Sequence, residues 1–411
     1  MVGKNYAWGE GAMLSEHSRK KHQILREYFY NYVITRCRSP QVRKFRLAVV
    51  DGFSGAGRYN CGAAGSPIIF VEELSRAITA INVKRAVDKM PLVEIECSLI
   101  LNDAEAEVID ILKTNLAPSL LEHTGSNPHL KINAHYFSEL FENVYPAIKG
   151  LIRTERHKSI IFNLDQCGHS HVETESLVDM MSLNESVEIF YTFMIEALLA
   201  FLKKNDPEAL KMQLSYLQLT SQDFELLVQH TSKREWLGTA ERIVFNSFKK
   251  CARYVSPFSI NNPDGWRYWL IHLANSHRAR QVYNDILHQD SETQAHYGRS
   301  GLNMLAHDPN EGKTLYLFND SAREQANEEL LEDIPKFLHD SAPLLQVKDF
   351  YAKIYNNTPA HSDDINSALL GSNEIVIKTP AGGIRRKASQ IHTEDVIAFK
   401  QQRSFFFPKN E

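Results

Sequence analysis

The chain has 411 residues, 43% of them hydrophobic, and that length asks for more than one well-buried core. A formal net charge of −4 excludes a protein held on nucleic acid by a global basic field, so any such contact must rest on a local patch. Five cysteines, an odd count with no two at C-x-x-C spacing, argue against a zinc centre and a disulfide framework.

Residues 15–35 carry Ile24, Leu25, Tyr28, Phe29, Tyr32 and Val33 at three-four spacing, which predicts an amphipathic helix. Lys20, Lys21 and His22 on it either cap a pocket or form a solvated face. A strand is expected at about 45–51. Ser66-Pro67 reads as a helix start, serine as N-cap and proline at the first helical position, with the helix running to about Arg85. Strands follow at Ile95–Leu101, Lys131–Ala134, Ser159–Leu164 and Val187–Met194, with a helix through Val108, Ile109, Leu112 and Leu116 after the first of them. This alternation predicts an α/β fold with a parallel sheet.

From about 200 to 250 the pattern is helical, an insert with Pro207 near its start. Val255–Ile260 and Trp266–Leu273 read as the last two strands, and Ser276 as the cap of a helix carrying Val282, Ile286 and Leu287. Ser291–Lys313 is polar and reads as a loop, and Thr314–Phe318 as a short strand. Helices are expected at Val347–Tyr355 and Asp363–Leu370. A hairpin should follow, with strands Glu374–Lys378 and Ile384–Lys387 around Ala381-Gly382-Gly383. Helix, helix, basic hairpin is the order of a winged-helix module. The expected domains are an N-terminal helical segment 1–44, an α/β domain 45–320 and a winged-helix-like domain 331–411.

Residues Leu47 to Gly57, L-A-V-V-D-G-F-S-G-A-G, form the leading motif. An apolar run followed by glycines suits a buried parallel strand and a ligand-cradling turn. G-x-G-x-x-G is incomplete, because Gly55 and Gly57 fill two slots and Asn60 the third, so a pyrophosphate is not expected. S-adenosylmethionine fits better: its amino-acid end would lie against Asp51, Phe53, Gly55 and Gly57. Asp103 ends the second strand and would accept the ribose hydroxyls, or else cap the next helix. Asp165 and Gln166 end a later strand; Asp165 would orient a methyl acceptor and Gln166 read an amide or base edge, unless Asp165 merely caps a helix.

Among the other candidates, His135-Tyr136-Phe137 would flank an adenine, or else His135 is a satisfied surface histidine. Cys167 would be an inert thiol in apolar surroundings. His169 and His171 lack a third partner for a metal. A divalent ion on Asp51, Asp103 and Asp165 would need carboxylates closer than three strand ends allow. No metal is therefore expected. Arg385, Arg386 and Lys387 would pair with phosphates or a protein partner, or else keep a sheet edge soluble.

Several pieces together resemble the three-Cys-motif partner proteins, a bacterial family with a class I methyltransferase-like domain. They are Ser18–Tyr32, Val50–Gly57, Gly65-Ser66-Pro67, Ile160–Gly168, Tyr268–Ser276 and the Arg385-Arg386 hairpin. The resemblance implies a Rossmann-like class I methyltransferase sheet, S-adenosylmethionine as cofactor, and a partner bearing a three-cysteine motif. Asp165 is followed by Gln166 where such families show Asp-Pro, and no Asp-Pro-Pro-Tyr motif occurs. A catalytically inactive methyltransferase-like binding module with a winged-helix arm is therefore the second expectation. The polar N-terminus, the thiols and the lack of an apolar span of about 18 residues lead to the expectation of a cytoplasmic protein with no membrane segment.

Overall fold

The computed structural model describes residues 8, 11–166, 172–203, 206–229, 233–260, 268–289, 294–297, 300–302, 315–316, 318–342 and 344–400. Cys167, Gly168, His169 and His171 lie outside them, as does the Trp266 start of the expected strand. The chain divides into two compact units, Met1–Leu287 with Thr293–Ala295, and His288–Glu292 with His296–Glu411.

In the first unit, α1 (Glu16–Arg36) leads into β1 (Lys44–Asp51), α2 (Ser66–Val87), β2 (Glu94–Asn102), α3 (Ala106–Ser126) and β3 (Leu130–Phe137). Then come α4 (Phe141–Thr154), β4 (Ser159–Leu164), α5 (Thr174–Ser182) and β5 (Val187–Phe193). The helical stretch is α6 (Ile195–Phe201), α7 (Pro207–Gln213), α8 (Ser221–Gln229) and α9 (Lys233–Lys249). Strands β6 (Tyr254–Ile260) and β7 (Tyr268–Ala274), helix α10 (His277–Leu287) and the first two residues of β8 (Gln294–Tyr297) complete the series. The strand order is β3-β2-β1-β4-β5-β7-β6, with Gln294 and Ala295 of β8 pairing outside β6. Strands β1 to β5 run parallel, and β7 lies antiparallel to both β5 and β6.

Apolar runs explain this sheet. Every residue of β4 and β5 is buried, as a strand covered on both faces requires. Helix α1 buries all six residues of its expected apolar face. Ser66 differs from expectation. Gly65 holds the N-cap position without a side-chain bond, Ser66 is the first helical residue, and Pro67 sits in the first turn. The helices α4 and α5 add to the expected elements. Ser276 does receive the Arg278 amide at 3.2 Å ahead of α10.

Arg85 near the end of α2 is only 3% exposed. Its guanidinium donates to the carbonyls of Val42 and Pro91, each at 2.9 Å, of Cys37 at 2.8 Å and of Ser39 at 2.7 Å. Four acceptors offset the cost of burying that cation and tie the turn before β1 to the segment before β2.

The second unit contains β9 (Leu315–Tyr316), α11 (Asp320–Ser341), β10 (Leu344–Gln346), α12 (Val347–Ile354), α13 (Ser362–Gly371), β11 (Ile375–Lys378) and β12 (Val396–Phe399). Its antiparallel sheet runs β10-β12-β11. Leu330, Ile334, Val347, Phe350, Ile354, Ile365, Leu369, Ile377 and Ile397 form the core. Three features depart from expectation. Helix α11, capped by Asn319 through the Ala322 amide at 2.9 Å, was not foreseen. Strand β8 lies within the expected loop Ser291–Lys313. The segment Ile384–Lys387 is not a strand: it makes one bridge, Lys378 to Ile384, and β11 pairs with β12 instead. The turn itself forms as expected, with Gly382 at φ +85°.

Candidate cofactor edge and winged-helix surface

In the first unit, β2, β1 and β4 are neighbours and parallel, so Asp51, Asp103 and Asp165 reach the same carboxyl edge. Chain order reverses between β1 and β4, and in open α/β sheets ligands bind at such a switch point. The loop after β1 folds back on itself through a bridge between Arg58 and Ala64. Gly55 and Gly57 take φ of +56° and +76°, a region that side chains disfavour.

Asp51 is fully buried, and Asn163 donates to it at 3.2 Å. Burial pushes its pKa up to about 7, against the opposing help of Ser66 and Asn163. Ser66 thus faces a carboxylate instead of capping its helix. Asp103 binds the loop itself: its Oδ2 accepts the Gly55 amide at 3.1 Å and its Oδ1 the Glu105 amide at 3.2 Å. Burial raises its pKa, partly countered by those amides. It stands too early to cap α3, whose N-cap is Glu105.

Asp165 accepts a hydrogen bond from the Lys21 ammonium of α1. Burial alone would raise its pKa, but Lys21 outweighs burial and holds it below the usual carboxylate range. Lys21 is therefore the cap on this edge that the first helix offered. His22 beside it is buried, and burial lowers its pKa to about 4. Gln166 is 2% exposed and donates to the Tyr191 hydroxyl at 2.7 Å, so its amide points to a protein partner. Phe53 packs on Phe141 at 5.8 Å between ring centroids.

A cavity of about 10 Å³, bounded by Lys21, His22, Ser66, Asn163, Asp165 and Thr192, is room for about one water. Trp8 closes the glycine loop: its Cε2 lies 2.8 Å from where a Cβ on Gly55 would stand. The Trp8 ring also meets Tyr59 at 5.3 Å, and the Asn60 amide donates to the Ala12 carbonyl at 3.0 Å. That cavity alone does not hold an adenosine-sized group. Among the described residues, no group of three or more His, Cys, Asp or Glu could hold a metal ion, and no helix is long and apolar enough to cross a membrane. Trp8, Asn163 and Thr192 were not singled out in the sequence; only Asn163, a polar residue inside the apolar run of β4, carried a signal.

In the second unit, Arg385 is not a free cation. Its Nε and Nη2 donate to Asp395 at 2.8 and 3.0 Å, and Asp395 is fully buried. Arg386 and Lys387 are exposed, as are Lys378 and Ile384 in the same turn. The element order α11, β10, α12, α13, β11, β12 with its turn is that of a winged helix-turn-helix module, a class that reads nucleic acid with a helix and a hairpin. Residues 306–382 match the family model described as GMT-like wHTH domain. A comparison with curated proteins finds no match.

Proposed function

We propose that this chain is a nucleic-acid-associated, methyltransferase-like protein that binds its polynucleotide through the winged-helix unit. The GMT-like wHTH match at 306–382, with Lys378 exposed at its end and Arg386 and Lys387 exposed just beyond it, is the observation that carries this reading. The Rossmann-like class I methyltransferase reading of the first unit draws on the strand order β3-β2-β1-β4-β5, on the reversal between β1 and β4, and on the Asp51 and Gly55 loop. S-adenosylmethionine is the cofactor this reading names. A protein with a three-cysteine motif is the partner the resemblance suggests.

A second reading has a specific observation in its favour. The seat at Gly55 holds Trp8, and Asp165 is committed to Lys21. Both favour a methyltransferase-like binding module that does not turn over. Titration calorimetry with S-adenosylmethionine on the wild type, Trp8→Ala and Gly55→Val separates the two. The cofactor reading expects Trp8→Ala to bind more tightly than wild type and Gly55→Val not at all. Absence of heat from all three leaves the binding module.

A further inference from the structure

The edge opposite Asp51, Asp103 and Asp165, where β1, β4, β5 and β6 begin and β7 ends, carries a row of exposed cations. Arg38 and Arg43 stand before β1, Arg156 and Lys158 before β4, Lys250 before β6, and Arg278 after β7. From β1 to β6 there are four strand spacings, about 19 Å, which matches about six base-pair steps of a duplex. The net charge of the whole chain is −4, so this row is a local concentration.

Two further cations, Lys84 and Lys249, lie at helix C-termini, where the dipole favours them. Arg278 is the opposite case, because it occupies the first turn of α10, where a cation works against the dipole. Arg38, Arg43 and Lys158 lie on no helix at all. Glu96 on β2 is already neutralised by Lys44 at 2.5 Å and Arg46 at 3.2 Å.

At the middle of the row is a cleft of about 150 Å³, bounded among others by Tyr32, Arg36, Glu185, Glu188, Ser276 and Arg278. The Tyr32 hydroxyl is buried beside Ser159 and lies within reach of the charges of Glu188 and Arg36, both on the cleft wall. Glu188 also faces the cleft, where the Tyr28 hydroxyl donates to it at 2.5 Å and His272 Nε2 stands 3.2 Å away. Glu185 is the acid that remains exposed on the rim.

We propose that this amino edge is a second nucleic-acid-binding surface, on which a phosphodiester backbone runs from Arg43 to Lys250 with one phosphate held at the cleft by Arg36, Arg278 and the first turn of α10. The charge complementarity selects the occupant. The proposal is independent of the winged-helix reading.

The test uses the full chain and a fluorescent double-stranded DNA oligonucleotide, with anisotropy read over a salt series. Arg38→Glu with Arg278→Glu should weaken binding at least tenfold and flatten the salt slope by about two, one for each lost phosphate contact. Arg38→Gln with Arg278→Gln should flatten it equally, which guards against misfolding of the reversed variant. Arg386→Glu with Lys387→Glu probes the winged-helix surface separately. Loss from the edge pair alone supports the amino edge and removes the winged-helix reading; loss from the wing pair alone does the reverse. An edge pair with the wild-type slope overturns the proposal, as does equal retention of the wild type on phosphatidylserine vesicles and on DNA.

Discussion

Lys21 on α1 and Asp165 at the end of β4, 144 residues apart in the chain, form an ion pair across the carboxyl edge of the sheet. The contact joins the N-terminal helix to the switch point. Removing Lys21 would leave a largely enclosed carboxylate without its cation. Lys21→Met should therefore cost about 3 kcal/mol at pH 7, read by urea denaturation. Asp165 has a lowered pKa in the fold, so its contribution is complete above the unfolded value near 3.9 and is lost as pH falls through the folded value. The gap between variant and wild type should close in that acid range; a constant gap would show that the pair is not the cause.

Asp51 should behave in the opposite sense. Its pKa is raised to about 7 by burial, so the folded state keeps a proton that the unfolded state has released. Stability should fall as pH rises from about 4 to 7, by at most about 4 kcal/mol. Asp51→Asn removes that dependence and should gain on wild type progressively up to pH 8. Denaturation midpoints measured from pH 5 to pH 8 decide it: parallel curves would refute a protonated Asp51.

Gly55 combines a positive φ with the Trp8 ring beside it. Gly55→Ala should cost about 1–2 kcal/mol from the backbone alone, plus a packing penalty against Trp8. Gly62, at φ +83° with open space around it, isolates the backbone part. In a thermal-melt cycle, Trp8→Ala should rescue part of the loss at Gly55 and none at Gly62. Equal rescue at both sites would mean that the ring does not sit on the loop.

Arg385 and Arg386 are adjacent and should differ in kind. Arg385→Ala leaves the buried Asp395 without its bidentate partner and should lower the melting temperature. Arg386→Ala should leave it unchanged and weaken DNA retention instead. Calorimetric melts and a salt-gradient column on the two variants provide both readings.

The parallel sheet was legible because apolar stretches in β1, β2 and β4 lead into Asp51, Asp103 and Asp165, and such stretches have few other uses. Helix α11 was not, since D-S-A-R-E-Q-A-N-E-E-L-L-E-D presents mostly charge and buries only a thin line through Ala326, Leu330 and Ile334. Arg385 looked like a phosphate ligand because its neighbours are basic; its true partner, Asp395, lies ten residues on. β12, the strand that pairs β11, is likewise beyond the hairpin that Gly-Gly suggested. The closure by Trp8 and Lys21 is tertiary, made by residues far from the loop they cover.

The four carbonyl oxygens gathered by Arg85 have a consequence for the row of cations. Three of them, from Cys37, Ser39 and Val42, belong to the bend that presents Arg38 and Arg43, and the fourth, from Pro91, to the segment before β2, so one planar fork on α2 works there as a coordinating ion would, as a hub. Lysine at this place would keep the charge but lacks the fork, and the bend would slacken. A change more than forty residues distant could then blur where two surface guanidiniums stand, with neither of them altered.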